Sequence, residues 1–331
     1  MGILTLLTGE ITAQGIIDTH CHNVHPFYME ALSKHDATMD EGFPIPEWDL
    51  DSHLEFMKKA GIGKSILSMP APQPYFGDSD ECKETVRRYN EQCAKIKKEN
   101  PGKIGFCASL PLPDVRAAIE EAIYALDTLC ADGIKLATNS RGQYLGDKEL
   151  DPLMEVLDKR NAVIILHPHK PTPVNEEMMS AFPLAIYEYP AETTRAVLNM
   201  IARNLLVKYK NLKIVIPHCG SFMPMAIPRM RAVLPAIQKN GLIGEIDINA
   251  NLSRLYYDLA GAPSASLIKS MLTITSPSHI MYGSDYPYQP AEALVKNLER
   301  LDKELSDDKE LSAYKEMFLW ENAKRLFSKE E

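Results

Sequence analysis

Residues 15–22 read GIIDTHCH, an apolar, β-branched opening that runs into two histidines separated by one residue. In an extended strand alternate side chains share a face, so His20 and His22 point the same way. Seven more short apolar runs follow: KSILSM (64–69), IGFCASL (104–110), GIKLAT (133–138), VIILH (163–167), KIVIPH (213–218), RLYYDLA (254–260) and HIMYGSD (279–285). Each is trailed by a helix-compatible stretch. Strands alternating with helices build a parallel sheet, and eight such units predict a closed (β/α)₈ TIM barrel rather than an open doubly wound sheet. Pro113-Asp114, Asp151-Pro152 and Pro190 are placed to open helices over 113–131, 151–161 and 190–210. No linker interrupts the rhythm, so 1–331 reads as one barrel domain, with an extra helix over 308–328 packing outside it. Two insertions rich in Pro and aromatic residues stand out, 23–48 after the first strand and 168–189 after the fifth. Loops that long follow barrel strands onto the catalytic face, as lids or binding walls.

The histidine pair gains meaning from the other strand ends. His167 ends the fifth run, His218 the sixth and Asp285 the eighth, so five ionisable side chains converge on the rim where barrel enzymes do chemistry. An HxH pair alone also fits ordinary buried histidines; placement of ligands at four strand ends does not. Imidazoles with one carboxylate suit Zn²⁺, and the same donors accommodate Mn²⁺ or Fe²⁺. Three neutral imidazoles and one carboxylate leave such a site net positive, which favours a small anionic substrate.

Composition excludes other classes. A net charge of −9 argues against a nucleic-acid partner, because phosphate-backbone binding needs excess Lys and Arg. No run of ~18 apolar residues appears, and residues 1–14 lack a positive n-region and a cleavage pattern, so neither a membrane partner nor export is expected. The six cysteines show no CxxC spacing and point to reduced thiols in the cytoplasm.

IDTHCH, the HP after the fifth run, IPHCG and YGSDYP resemble the signature of the amidohydrolase superfamily, over roughly residues 15 to 328. ASLPLPD, ADGIKLATN, YLGD and YPAETTRAV are similar to its metal-dependent decarboxylase branch. That branch includes aminocarboxymuconate-semialdehyde decarboxylase and the decarboxylases of resorcylate and 6-methylsalicylate. PEWDLDSHLEFMKKAGIGKSILS and FCASLPLPD look most like the 6-methylsalicylate members. The resemblance implies one divalent ion, Zn²⁺ ahead of Mn²⁺, held by His20, His22, His167 and Asp285. It makes His218 a non-ligating catalytic histidine. Arg229 falls where related enzymes place an arginine that reaches a neighbouring subunit's site, which implies a homodimer; a solvated helix arginine fits equally.

The implied reaction is non-oxidative decarboxylation of a small aromatic or unsaturated carboxylic acid. The cation takes up charge as CO₂ departs, and a proton reaches the ring carbon from Asp285 or from a water steered by His218. The same ligands would also serve hydrolysis of an amide, lactone or ester, and a catalytically idle metal-binding protein is the third reading. His169 could replace His167 as a ligand, but Pro168 should end the strand and leave it lining the pocket. His25 and Tyr286 are expected to reach substrate from the loops, with Tyr28, Phe76, Asn139, Arg141 and Tyr187 as weaker candidates. Lys135 falls where two-metal members carry a carboxylated lysine. The mononuclear branch favours a structural ion pair there instead. His35, His53 and His279 read as packing or surface residues.

Overall fold

The computed structural model describes residues 15–171, 173 and 182–328. Eight parallel strands follow one another around the sheet in chain order: β1 Ile16–His22, β2 Ile62–Ser68, β3 Ile104–Ser109, β4 Gly133–Ala137, β5 Val163–His167, β6 Lys213–Ile216, β7 Leu255–Asp258 and β8 Ile280–Met281. The ring closes beyond the end of β8. Thr19 N–H donates to Tyr282 O (3.0 Å), Asp285 N–H to His20 O (2.8 Å) and His22 N–H to Tyr286 O (2.7 Å). The fold is therefore the expected (β/α)₈ barrel.

Register decides which side chains look inward. Ser109, Lys135 and Ile165 stand abreast on β3, β4 and β5, and Ala137 stands beside His167. Ile66, Cys107, Ile165, Val215 and Met281 fill the lower interior in one buried cluster with Ala323, Leu326 and Phe327. The chain's end thus seals the barrel floor rather than lying along its wall. It does so in three short pieces, a 3₁₀ turn Leu311–Tyr314, a π turn Met317–Glu321 and an α-helix Asn322–Phe327, where the sequence suggests one helix.

Other differences concern boundaries. β6 stops before Pro217, which has no N–H for the ladder, and β8 keeps two residues of its seven-residue run. The helix expected to open at Pro190 spans Ala185–Ala202, with the proline inside it. Its first amide is taken by Glu41 O at 3.3 Å, so contact with the first insertion sets its start. Asp114 caps its helix by accepting Ala117 N–H at 3.0 Å, and that helix, Val115–Ile123, runs on as a π turn over Tyr124–Thr128. The first insertion folds into a helix, Pro26–Ser33, and a hairpin that pairs Met39–Asp40 with Phe43–Pro44. Within the second, residues 172 and 174–181 lie outside the described residues, as do residues 1–14, on which the expectation about export rests. Among the described residues no helix is long and apolar enough to cross a membrane.

Candidate metal centre

β1 delivers His20 and His22, and β5 delivers His167, to the C-terminal mouth of the barrel; all three are buried. Each has its outward nitrogen engaged by an oxygen. His20 Nδ1 meets Asp258 Oδ2 at 2.8 Å, His22 Nδ1 meets Ser68 O at 3.2 Å, and His167 Nδ1 meets Pro168 O at 2.9 Å. Carboxylates and carbonyls only accept, so each Nδ1 carries the hydrogen and each Nε2 turns a lone pair inward.

Those lone pairs converge with Asp285. His20 Nε2 and His22 Nε2 lie 3.2 Å apart, and Asp285 Oδ1 lies 3.5 and 3.3 Å from them. His20, His22 and His167 offer nitrogens within 4.8 Å of one another, as do His20, His218 and Asp285 through their ligand atoms. A tetrahedral ion with bonds of about 2.0–2.1 Å has ligand–ligand edges of about 3.3 Å. The donor set therefore fits one divalent cation. Facing lone pairs at this spacing repel unless a positive charge lies between them.

The electrostatics agree. Burial holds His22 below its ordinary pKa and, with the neighbouring His22 and Lys135, holds His167 far below. Burial also opposes charge on His20, but the Asp258 carboxylate prevails and raises it to about 9, so positive charge is favoured at its Nε2, as a proton or as the cation that would displace it. Burial would raise Asp285, yet hydrogen bonds from His218 and His22 keep it ionised, well below the usual carboxylate range. The centre calls for a cation.

His218 and Asp285 do not hang from strand ends as alternation suggests. Both sit in turns beyond β6 and β8 with left-handed backbones, φ 55° and 62°. Asp258, at the end of β7, holds the first turn by accepting His218 N–H and Ala260 N–H, each at 3.0 Å. Asp18 holds the second. It accepts Ser284 Oγ–H at 2.5 Å, Ser284 N–H at 3.0 Å and His20 N–H at 3.1 Å, and burial pushes its pKa up to about 7. Gly283 is needed there, because a Cβ would stand 2.7 Å from His20 Cβ. Asp285 then divides its oxygens, Oδ1 toward the histidine pair and Oδ2 toward His218 Nε2 at 3.7 Å. Asp18 and Asp258 were not singled out from sequence, although each is an acidic residue inside an apolar strand run.

The remaining candidates fall differently. Tyr286 stacks on Phe56 at 4.4 Å, away from the centre, and Tyr288, two residues on, sets its ring edge against His22 at 5.5 Å. His25 is packed among Phe27, Trp48 and Tyr89 and accepts from Asn23 Nδ2 at 2.8 Å, so it does not reach the ligands. His169 is outside the ligand cluster; Thr138 Oγ1 accepts its N–H at 3.0 Å and its Nδ1 is buried without a described partner. Lys135 is buried in the barrel, where burial pushes its pKa down to about 7 against the pull of Asp40, and it makes no described ion pair. Arg229 is exposed on the helix Met223–Lys239, which buries only Met223 and Ile227.

A second buried cluster faces the ligands. Asp40 accepts a hydrogen bond from the Tyr189 hydroxyl, and the Tyr288 hydroxyl, which donates to Ala71 O at 3.5 Å, lies close to the same carboxyl. The Tyr189 ring stands 6.3 Å from that of His167.

Known proteins resemble this chain along most of its length. A 6-methylsalicylic acid decarboxylase of Penicillium expansum is 30% identical over 285 residues, 85% of this chain and 87% of the relative. A solved structure of an amidohydrolase II superposes with a TM-score of 0.86 at 31% identity, covering 95% of this chain and all of that one. A 5-carboxyvanillate decarboxylase of Novosphingobium aromaticivorans, solved with manganese and a nitrobenzoic acid, shares the fold at a TM-score of 0.82 and 19% identity, over 95% and 96% of the two chains. The amidohydrolase family model matches residues 17–329, nearly the entire chain, and the protein belongs to that family.

Proposed function

We propose that this chain is a metal-dependent carboxy-lyase that removes CO₂ from a small aromatic carboxylic acid without oxidation. One divalent ion is held by His20, His22, His167 and Asp285. The observation that carries the reading is the convergence of inward Nε2 lone pairs and Asp285 Oδ1 at the edges of a single coordination sphere. The 6-methylsalicylic acid decarboxylase relative supports the reaction class.

In the reaction the bond from ring carbon to carboxylate breaks, CO₂ leaves without the bonding pair, and a proton takes its place on the carbon. A divalent cation at the centre supplies Lewis-acid stabilisation of the negative charge that develops. The His218–Asp285 pair relays the proton from water to the carbon: Nε2 and Oδ2 stand 3.7 Å apart, close enough for one to pass a proton to the other through a small movement. Asp258 fixes the His218 turn and the His20 tautomer together. The rings of Tyr288 and Tyr189, against His22 and His167, exclude water from one side of the ion.

The nitrogen-rich donor set favours zinc. Manganese is the second reading, favoured by the neighbour solved with it. We also propose a homodimer: Met225, on the helix of Arg229, is 81% exposed, Phe222 just before that helix is exposed with its ring 5.8 Å from that of exposed Tyr187, and Ile186 beside Tyr187 in the chain is exposed too. The six free cysteines support a reducing, cytoplasmic location.

The test measures CO₂ release from 6-methylsalicylate and dihydroxybenzoates next to a panel of amides, lactones and esters, on protein loaded with zinc or manganese. CO₂ release is expected. Turnover of the hydrolysis panel alone would replace this reading with a hydrolase.

A further inference from the structure

Asp40 is an unusual neighbour for a site that takes an anion. It is almost fully buried, and a buried carboxyl is costly unless its oxygens are met by donors. Its one hydroxyl donor among the described residues is Tyr189; the Tyr288 hydroxyl lies close by but donates to Ala71 O at 3.5 Å, and buried Lys135 interacts with its charge without forming an ion pair. A carboxylate offers about four acceptor positions, and the Tyr189 hydroxyl fills one of them.

Position makes this more than a packing detail. Tyr288 leans on His22 and Tyr189 on His167, so the carboxyl is suspended beside two of the candidate ligands. The hairpin that carries it is pinned from the second insertion side, by Ala185 N–H to Glu41 O at 3.3 Å and Lys170 Nζ to Glu41 Oε1 at 3.6 Å. The Tyr28 hydroxyl, also buried nearby, is committed to Pro72 O at 2.7 Å. Burial already disfavours one negative charge here, pushing Asp40 up to about 7, and a second negative charge would be disfavoured further.

We propose that Asp40, held by Tyr189 beside Tyr288, is the specificity-determining group of the pocket: it accepts a hydrogen bond from a ring hydroxyl of an aromatic monocarboxylate and turns away a ring that brings a methyl or a second carboxylate to the same place. A methyl would leave the acceptor positions unmet, and a carboxylate would add like charge. The preferred substrate class is then a hydroxylated salicylate, more polar than 6-methylsalicylate. This inference rests on the aromatic-acid reading above.

The experiment is calorimetric binding to the metal-loaded full chain, using salicylates that carry a hydroxyl, a methyl or a carboxylate at each of ring positions 3 to 6. For at least one position the hydroxyl form should bind tenfold or more tighter than both counterparts. Asp40→Asn should cut the discrimination against carboxylate to within threefold, and Asp40→Leu should reverse the hydroxyl-over-methyl order. Unchanged ratios in either variant, with metal content retained, overturn the proposal. Should neither variant fold, Tyr189→Phe frees one more acceptor position and must widen the hydroxyl preference at least threefold; an unaltered preference overturns the proposal equally. Binding is read without turnover. Shifted ratios with no CO₂ release would defeat the decarboxylase reading and leave this one standing, whereas CO₂ release with unshifted ratios would do the reverse.

Discussion

Replacing Asp258 by Asn tests whether the site is built around a metal, because it changes one proton and almost no volume. Asp258 Oδ1 accepts His218 N–H and Ala260 N–H, while Oδ2 accepts His20 Nδ1–H at 2.8 Å. An amide has one oxygen. Kept on the two backbone groups, it leaves NH₂ facing Nδ1–H, two donors in contact. Turned to His20, it sets NH₂ against the two amides instead. The first arrangement loses fewer bonds, and its clash is relieved only when the imidazole hydrogen moves to Nε2, which removes the lone pair that faces Asp285 and His22. Loss of such a supporting carboxylate weakens metal binding by about 10- to 100-fold, or about 1.4–2.7 kcal/mol. The forced tautomer puts Asp258→Asn at the weak end, so zinc affinity should fall by about 100-fold or more in a competition titration against a chelating fluorophore. Circular dichroism should report a folded protein. A dissociation constant within threefold of the parent would refute the argument that Asp258 sets the tautomer of a metal ligand.

His167 at the end of β5 and His218 in the turn beyond β6 should part company: His167→Ala should lose the ion and all CO₂ release, whereas His218→Ala should keep the ion and lose about 10²- to 10⁴-fold in rate. Elemental analysis beside the assay reads both, and a metal-free His218→Ala would make His218 a ligand. His53 accepts from Trp48 Nε1–H at 3.1 Å, and burial pushes its pKa down to about 4. A depressed histidine contributes stability that is present above the unfolded value near 6.5 and lost as pH falls toward 4, so from pH 7.5 to 5 the parent should lose about 2 kcal/mol more than His53→Phe in urea titrations. Asp18 and Asp40 are common to both proteins and cancel; equal losses would remove His53 as the cause. Light scattering should find a dimer that Phe222→Asp/Met225→Glu converts to monomer, and a monomeric parent would end the dimer proposal.

The barrel was legible because its signal is local. A strand buried on both faces writes itself as a short apolar run, and β1 to β5 lie where those runs do. His20, His22 and His167 were readable for the same reason, since alternation within one strand aims them inward. His218 and Asp285 reach the barrel mouth for a reason only partly written in the sequence. Their side chains are aimed by left-handed turns, and those turns are held by Asp258, 40 residues away from His218, and by the backbone of His20 at the other end of the chain. Tyr286 shows where alternation fails: the strand has ended before it, so its ring goes to Phe56 and Tyr288 takes the inward place. Asp40 lies furthest beyond local reading. Its segment has no period, and its burial depends on Tyr189, 149 residues on, in a helix whose start is itself set by the neighbouring Glu41. The ligands therefore follow from the period of the strands, and the wall that faces them follows from contacts between two insertions. The inward faces of β1 and β5 gather the three histidines, while the loops above β1 and β5 can vary without moving them.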